Sequence, residues 1–105
     1  MARFDITKEA TDDLYKIWEY TVDTWSEEQA DKYYSELIAS FEVIAASPLN
    51  IGKSFDEIIP GIRGLHVRRH MVFYATQANG RVLIVRILHE RMDYPRHLNP
   101  YIDEA

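Results

Sequence analysis

The chain has 105 residues, no cysteine and a formal net charge of −5. A single domain of that length buries roughly 65% of its unfolded surface, enough for one core without staples. The lack of cysteine excludes disulfides and thiolate metal sites, and no apolar run approaches the about 18 residues of a membrane span.

The opening MARFDITKEA has no apolar signal-peptide core, so the cytoplasm is the expected location. The charge is uneven. Residues 1–50 hold 4 Lys/Arg and 11 Asp/Glu, whereas residues 51–105 hold 8 Lys/Arg and 6 Asp/Glu. All four histidines lie in the second half, and Lys53 is its one lysine. Arginine suits bidentate contacts to carboxylate or phosphate. The second half therefore reads either as an ordinary mixed surface or as a basic face for an acidic partner or nucleic acid.

Residues 3–7 (RFDIT) alternate and predict a short edge strand. Ala10, Leu14, Ile17, Trp18, Thr21 and Trp25 then recur at helical spacing, predicting a helix over 8–24. Asp12 and Asp13 are expected in its first turn, where the helix dipole favours anions. SEEQ at 26–29 has the form of a capping box, with Ser26 as cap. Ala30, Tyr33, Tyr34, Leu37, Ile38, Phe41, Ile44 and Ala45 mark a second helix that ends before Pro48. The short link makes an antiparallel helical hairpin. Trp25 at its tip either staples the turn or faces a partner.

A loop from Pro48 to Gly61 leads to strands at 62–67, 70–77 and 81–89. Asn79-Gly80 is the hairpin turn between the last two. These strands form an antiparallel meander. ERMDYPRHLNPYIDEA is expected to be an irregular tail, because Pro95 and Pro100 break any long helix. The fold class is α+β in one domain, 1–105, with 91–105 flexible or ordered by a partner. Truncation after Glu90 is expected to leave a folded domain.

The last strand carries the most chemistry. Strict alternation puts Val82, Ile84, Arg86 and Leu88 on one face and Leu83, Val85, Ile87 and His89 on the other. A strand apolar on both faces is covered on both. The hairpin covers one side, and the tail or a partner covers the other. Arg86 needs an anion or a route to water, and Asp56, Glu57, Glu90, Asp93 or a partner could supply it. His66 and His70 are four apart but span a turn and lack an acidic third ligand, so no metal is expected. A ribonuclease needs a base, an acid and cations, roles that Arg63, Arg86, His89, Glu90 and Tyr94 could fill.

The order strand, hairpin, meander, with ATDDLYKIWEYT, WSEEQADKYYSEL, SPLNIGKSFDEIIPGIRGL, RRHMVFY and VLIVRILHERMDY in sequence, resembles the RelE/ParE superfamily of type II toxin–antitoxin toxins. Within it the chain looks like ParE, over residues 3 to about 98. The resemblance implies a non-enzymatic inhibitor that traps DNA gyrase on cleaved DNA, with no cofactor. It also implies a ParD-type antitoxin that wraps its C-terminal segment around the toxin. The residues expected to meet a partner are Trp25, Arg63, Arg68, Arg69, Tyr74, Arg86, His89, Arg91, Tyr94 and Arg96. The wider superfamily includes RelE-type ribosome-dependent mRNA endonucleases with lysine- and arginine-rich sites. Only Lys53 follows residue 32 here, and that alternative would use Arg63, Arg86, His89 and Tyr94. A non-toxic antitoxin-binding module is the third reading.

Overall fold

The computed structural model describes residues 4–102, with side chains described for 4–98. The expected start of the first strand at residue 3 and the last three residues of the tail lie outside them. The elements run β1 (Phe4–Ile6), α1 (Lys8–Thr24), α2 (Glu27–Ala46), β2 (Lys53–Ser54), β3 (Arg63–Val67), β4 (His70–Thr76), β5 (Val82–His89) and α3 (Tyr94–Ile102). One sheet has the order β1-β5-β4-β3-β2. The expected meander is β3-β4-β5, antiparallel throughout. The N-terminal strand sits at the edge and runs parallel to β5, Phe4 opposite Val82.

Local chemistry explains the hairpin. Thr7 and Ser26 cap the two helices, their hydroxyls accepting the N–H groups of Ala10 and Gln29. Each cap satisfies a donor that the first turn leaves unpaired. Glu9 lies in the first turn of α1. Asp13 comes later and has a different task, described below.

The helices lay Ala10, Leu14, Leu37, Phe41 and Ile44 on one face of the sheet, against Val72, Tyr74, Val82, Ile84 and Ile87. The opposite face carries Met71, Phe73, Val85 and Leu88. Of the two covers expected for this face of β5, the tail or a partner, the structure shows the tail, together with the loop. Phe55 and Ile62 from the 48–62 loop and Leu98 from α3 close this second core. The tail is therefore not irregular: Tyr94–Ile102 is a helix. Pro95 does not prevent it, because a proline in the first turn removes an N–H that has no intrahelical partner anyway. Leu98 is fully buried.

The loop also holds a two-residue strand, β2, that was not expected; it pairs Lys53 with Gly64. Gly52 permits this close approach. Its φ is +69°, and a Cβ there would lie 2.4 Å from the Gly64 carbonyl oxygen.

Strict alternation along β5 fails at a bulge. Phe73 pairs with Arg86 and Tyr74 with Ile84, so Val85 is the extra residue. A bulge resets which face successive side chains reach. Beyond it Ile87 joins Val82 and Ile84 under the helices, while Leu88 joins Val85 on the other face. The orphaned Val85 carbonyl accepts the Thr7 hydroxyl at 2.7 Å, so the bulge and the start of α1 are joined. No helix among the described residues is long and apolar enough to cross a membrane.

Candidate partner-binding cleft

Between the helical hairpin and the β3–β4 turn lies an open cleft of about 830 Å³. α1 supplies Lys16, Ile17, Tyr20, Thr21 and Thr24, and α2 supplies Gln29, Lys32, Tyr33 and Glu36. Trp25 stands at the hairpin tip, with Arg68, Arg69, His70, His89 and Met92 on the sheet side. Four cations face one carboxylate. That carboxylate, Glu36, takes both Nε and Nη2 of Arg68 in a fork. The Arg68 guanidinium holds the Glu36 carboxyl below its usual range. The other three cations keep the rim positive.

The turn that brings the arginines there is two residues long, with Val67 paired to His70 across it. Arg68 adopts a left-handed φ of 53°. That conformation is costly for a side chain with a Cβ, and contacts to α2 hold it. Besides Glu36, Tyr33 Oη lies 2.6 Å from His70 Nδ1 and 3.3 Å from the Val67 carbonyl oxygen.

The floor of the cleft is titratable. Burial, followed by the neighbouring His89 ring, lowers the His70 pKa to about 4. The two imidazoles meet edge to face, 5.3 Å between centroids. His70 is thus neutral at neutral pH. His89 Nδ1 accepts the Arg91 N–H at 3.1 Å, which places a neutral ring's proton on Nε2. Burial raises the pKa of Tyr33 as well. Exposed Trp25 and Met92 give the rim an apolar component.

Of the ten residues expected at a partner surface, the fold gathers Trp25, Arg68, Arg69 and His89 in this cleft. Arg91 and Arg96 are exposed near the C-terminal end. The remaining four are occupied internally. Arg86 forms a fork on Asp13, Nε to Oδ2 at 2.7 Å and Nη2 to Oδ1 at 3.0 Å. Its Nη1 donates to the His97 carbonyl at 3.1 Å. Asp13 Oδ2 also accepts the Ile87 N–H, which lies beyond the end of β1. The anion for Arg86 is therefore Asp13 of α1, and not Asp56, Glu57, Glu90 or Asp93. The pair is partly buried, at 18% and 12% side-chain exposure.

Tyr74 is fully buried and presents no surface. Its hydroxyl lies 2.8 and 2.7 Å from the carbonyl oxygens of Pro48 and Ile51. Arg63 donates to the Ile51 and Gly52 carbonyls and holds the same loop. Tyr94 packs edge-on against Phe73, 4.9 Å between centroids, in the second core. Arg63, Arg86, His89 and Tyr94, the set for a nuclease, thus have four separate local tasks. His66 and His70 also diverge: His66 contacts Glu90 at 2.8 Å, and His70 contacts Tyr33.

Sequence reasoning missed Lys16, Tyr20, Gln29, Lys32, Tyr33 and Met92 as cleft residues. A signal existed for part of this set: Lys16, Tyr20 and Thr24 repeat at i, i+4, as do Gln29 and Tyr33, along stripes beside the core stripe. Nothing in the periodicity says which flank of a hairpin faces the β3–β4 turn.

The family model described as ParE toxin of type II toxin-antitoxin system, parDE, matches residues 4–94. "Toxin ParE1" of Mycobacterium tuberculosis is 39% identical over 97 residues, covering 92% of this chain and 98% of that protein. "Toxin ParE1" of Caulobacter vibrioides is 36% identical over 98 residues, covering 93% and 99%. "Toxin ParE" of Escherichia coli is 34% identical over 93 residues, covering 89% of each. A chain of the structure "Chromosomal ParDE TA system from P. aeruginosa" shares the fold, with a TM-score of 0.74 at 20% identity over 85% of this chain and 96% of that one. Family match, near full-length relatives and shared fold agree: the chain belongs to the ParE toxin family of type II toxin–antitoxin systems.

Proposed function

We propose that the chain poisons DNA gyrase by protein–protein binding in the cytoplasm, and that a ParD-type antitoxin neutralises it by occupying the basic cleft. The observation that carries the antitoxin site is the cleft's charge, with Lys16, Lys32 and Arg69 beside an apolar rim of Trp25 and Met92. Such a surface suits an acidic amphipathic segment, whose charge speeds encounter and whose apolar side chains slow release. Membership of the ParE family supports the gyrase target. Binding without catalysis is supported by the internal engagements of Arg63, Arg86 and Tyr94, which hold three of the four residues of the endonuclease alternative in separate structural contacts.

Induction of the chain without antitoxin, with pulse labelling of DNA and protein synthesis, tests the target. DNA synthesis is expected to stop first, with gyrase-linked DNA breaks. Collapse of mRNA and translation before replication slows would favour the endonuclease reading. Unimpaired growth would favour the non-toxic binding module.

A further inference from the structure

A second hollow, of about 400 Å³, lies on the hairpin and shares no residue with the cleft. It is lined by Tyr15 and Trp18 of α1 and by Asp31 and Tyr34 of α2. Each helix contributes an i, i+3 pair, positions that share one helix face. Exposed tyrosines scattered singly are ordinary on a protein surface. These three rings instead line one hollow together with a single carboxylate. Tyr15 is 63% exposed and Tyr34 43%. Trp18 Nε1 donates to Asp31 Oδ1 at 3.0 Å, which fixes the indole and points it at the second helix. Asp31 Oδ2 takes no hydrogen bond from a described residue, so it can accept one from outside.

The surroundings select the sign of the ligand. Asp12 and Glu19 lie one turn to either side of Tyr15, and Glu27 lies one turn before Asp31; all are exposed. Lys16 and Lys32 of the same helices line the other cleft. An anion is disfavoured here, whereas a cation gains ring faces and a carboxylate together. A guanidinium fits better than an ammonium, because it is planar, stacks on rings and donates through a fork.

We propose that Tyr15, Trp18, Asp31 and Tyr34 form a receptor for the guanidinium of an arginine on a partner protein. The hairpin is then two-sided, with an acidic aromatic receptor on one face and a basic cleft on the other. The receptor does not depend on what the cleft binds.

Trp18 is its own reporter. The full chain has two tryptophans. In a Trp25→Phe background, fluorescence reads Trp18 alone. Titration with acetylated, amidated tetra-arginine is expected to give a saturable change, and tetra-glutamate none. Tetra-lysine is expected to bind about threefold more weakly, since it lacks stacking. Asp31→Asn keeps an acceptor for the indole but loses the charge, and is expected to weaken tetra-arginine binding about tenfold. Tyr15→Leu removes one ring and is expected to weaken it about threefold. Melting temperatures show that the variants remain folded. Non-saturating quenching, equal binding of tetra-lysine, or unchanged binding by both variants would overturn the proposal, leaving only diffuse attraction to an acidic hairpin.

Discussion

Arg86 illustrates how one residue can be both buried and charged. Its guanidinium forks onto Asp13, and Asp13 in turn caps the Ile87 N–H. Removing one member of such a pair leaves the other charged and buried, a cost of about 2–5 kcal/mol. Arg86→Ala is therefore expected to lower unfolding free energy by about that amount, measured by urea denaturation. A loss confined to partner binding, with stability intact, would show that the fork contributes little. His70 gives a pH-dependent counterpart. Its folded pKa is about 4, below the ordinary 6.5. As pH falls through that window, the unfolded chain takes up a proton that the folded chain does not. The neutral ring's contribution is complete above pH 6.5 and declines toward pH 4. Asp5, Glu36 and Asp56, whose carboxyls are held low by hydrogen bonds, add losses at the acid end. Melting temperature is thus expected to fall from pH 6.5 to 4, and His70→Gln to flatten the slope in the upper part of that window. An equal slope in both proteins would remove His70 from the effect.

Among the elements, α3 has the largest consequence for how the chain can be cut. Tyr94 edges onto Phe73 and Phe55, Leu98 is buried among the second core, and the His97 carbonyl receives Arg86. Truncation after Glu90 removes all three. The truncated chain is expected to lose its cooperative thermal transition, contrary to the folded remnant that the sequence alone suggested. Leu98→Ala is the milder version, expected to cost about 2–5 kcal/mol while keeping the helix. A truncated chain that melts cooperatively near the parent temperature would show that α3 is dispensable.

Viewed whole, the molecule separates its charges. The hairpin's outer hollow is flanked by Asp12, Glu19 and Glu27, while its inner cleft carries Lys16, Lys32, Arg68 and Arg69. The net charge of −5 conceals this. Encounter between such a cleft and an acidic segment is steered by the local field, and salt weakens it. Reversing both lysines, Lys16→Glu with Lys32→Glu, is expected to slow ParD-type antitoxin association about tenfold and to reduce its salt dependence. Stopped-flow association at several ionic strengths measures this. Rates indifferent to both the substitutions and salt would move the antitoxin elsewhere on the surface.

The elements themselves were largely legible in the sequence, because their signals are local. Caps at Ser26, the three- and four-residue spacing from Ala30 to Ile44, and the Asn79-Gly80 turn each act within a few residues. The helical hairpin and meander follow from them. The bulge at Val85 was not legible: it depends on how β4 meets β5 and on Thr7, 78 residues away, taking the freed carbonyl. Nor was the Arg86 partner, since Asp13 lies 73 residues from it and local spacing assigned that carboxylate to a helix dipole. α3 was hidden because two prolines argue locally against a helix, while burial of Leu98 in a long-range core argues for it. Of the candidate partner residues, Trp25, Arg68, Arg69 and His89 share the cleft because the β3–β4 turn folds back onto α2. Residue type and spacing determined which side chains could carry charge or stack. Only tertiary packing decided which of them the core consumes and which remain at a surface.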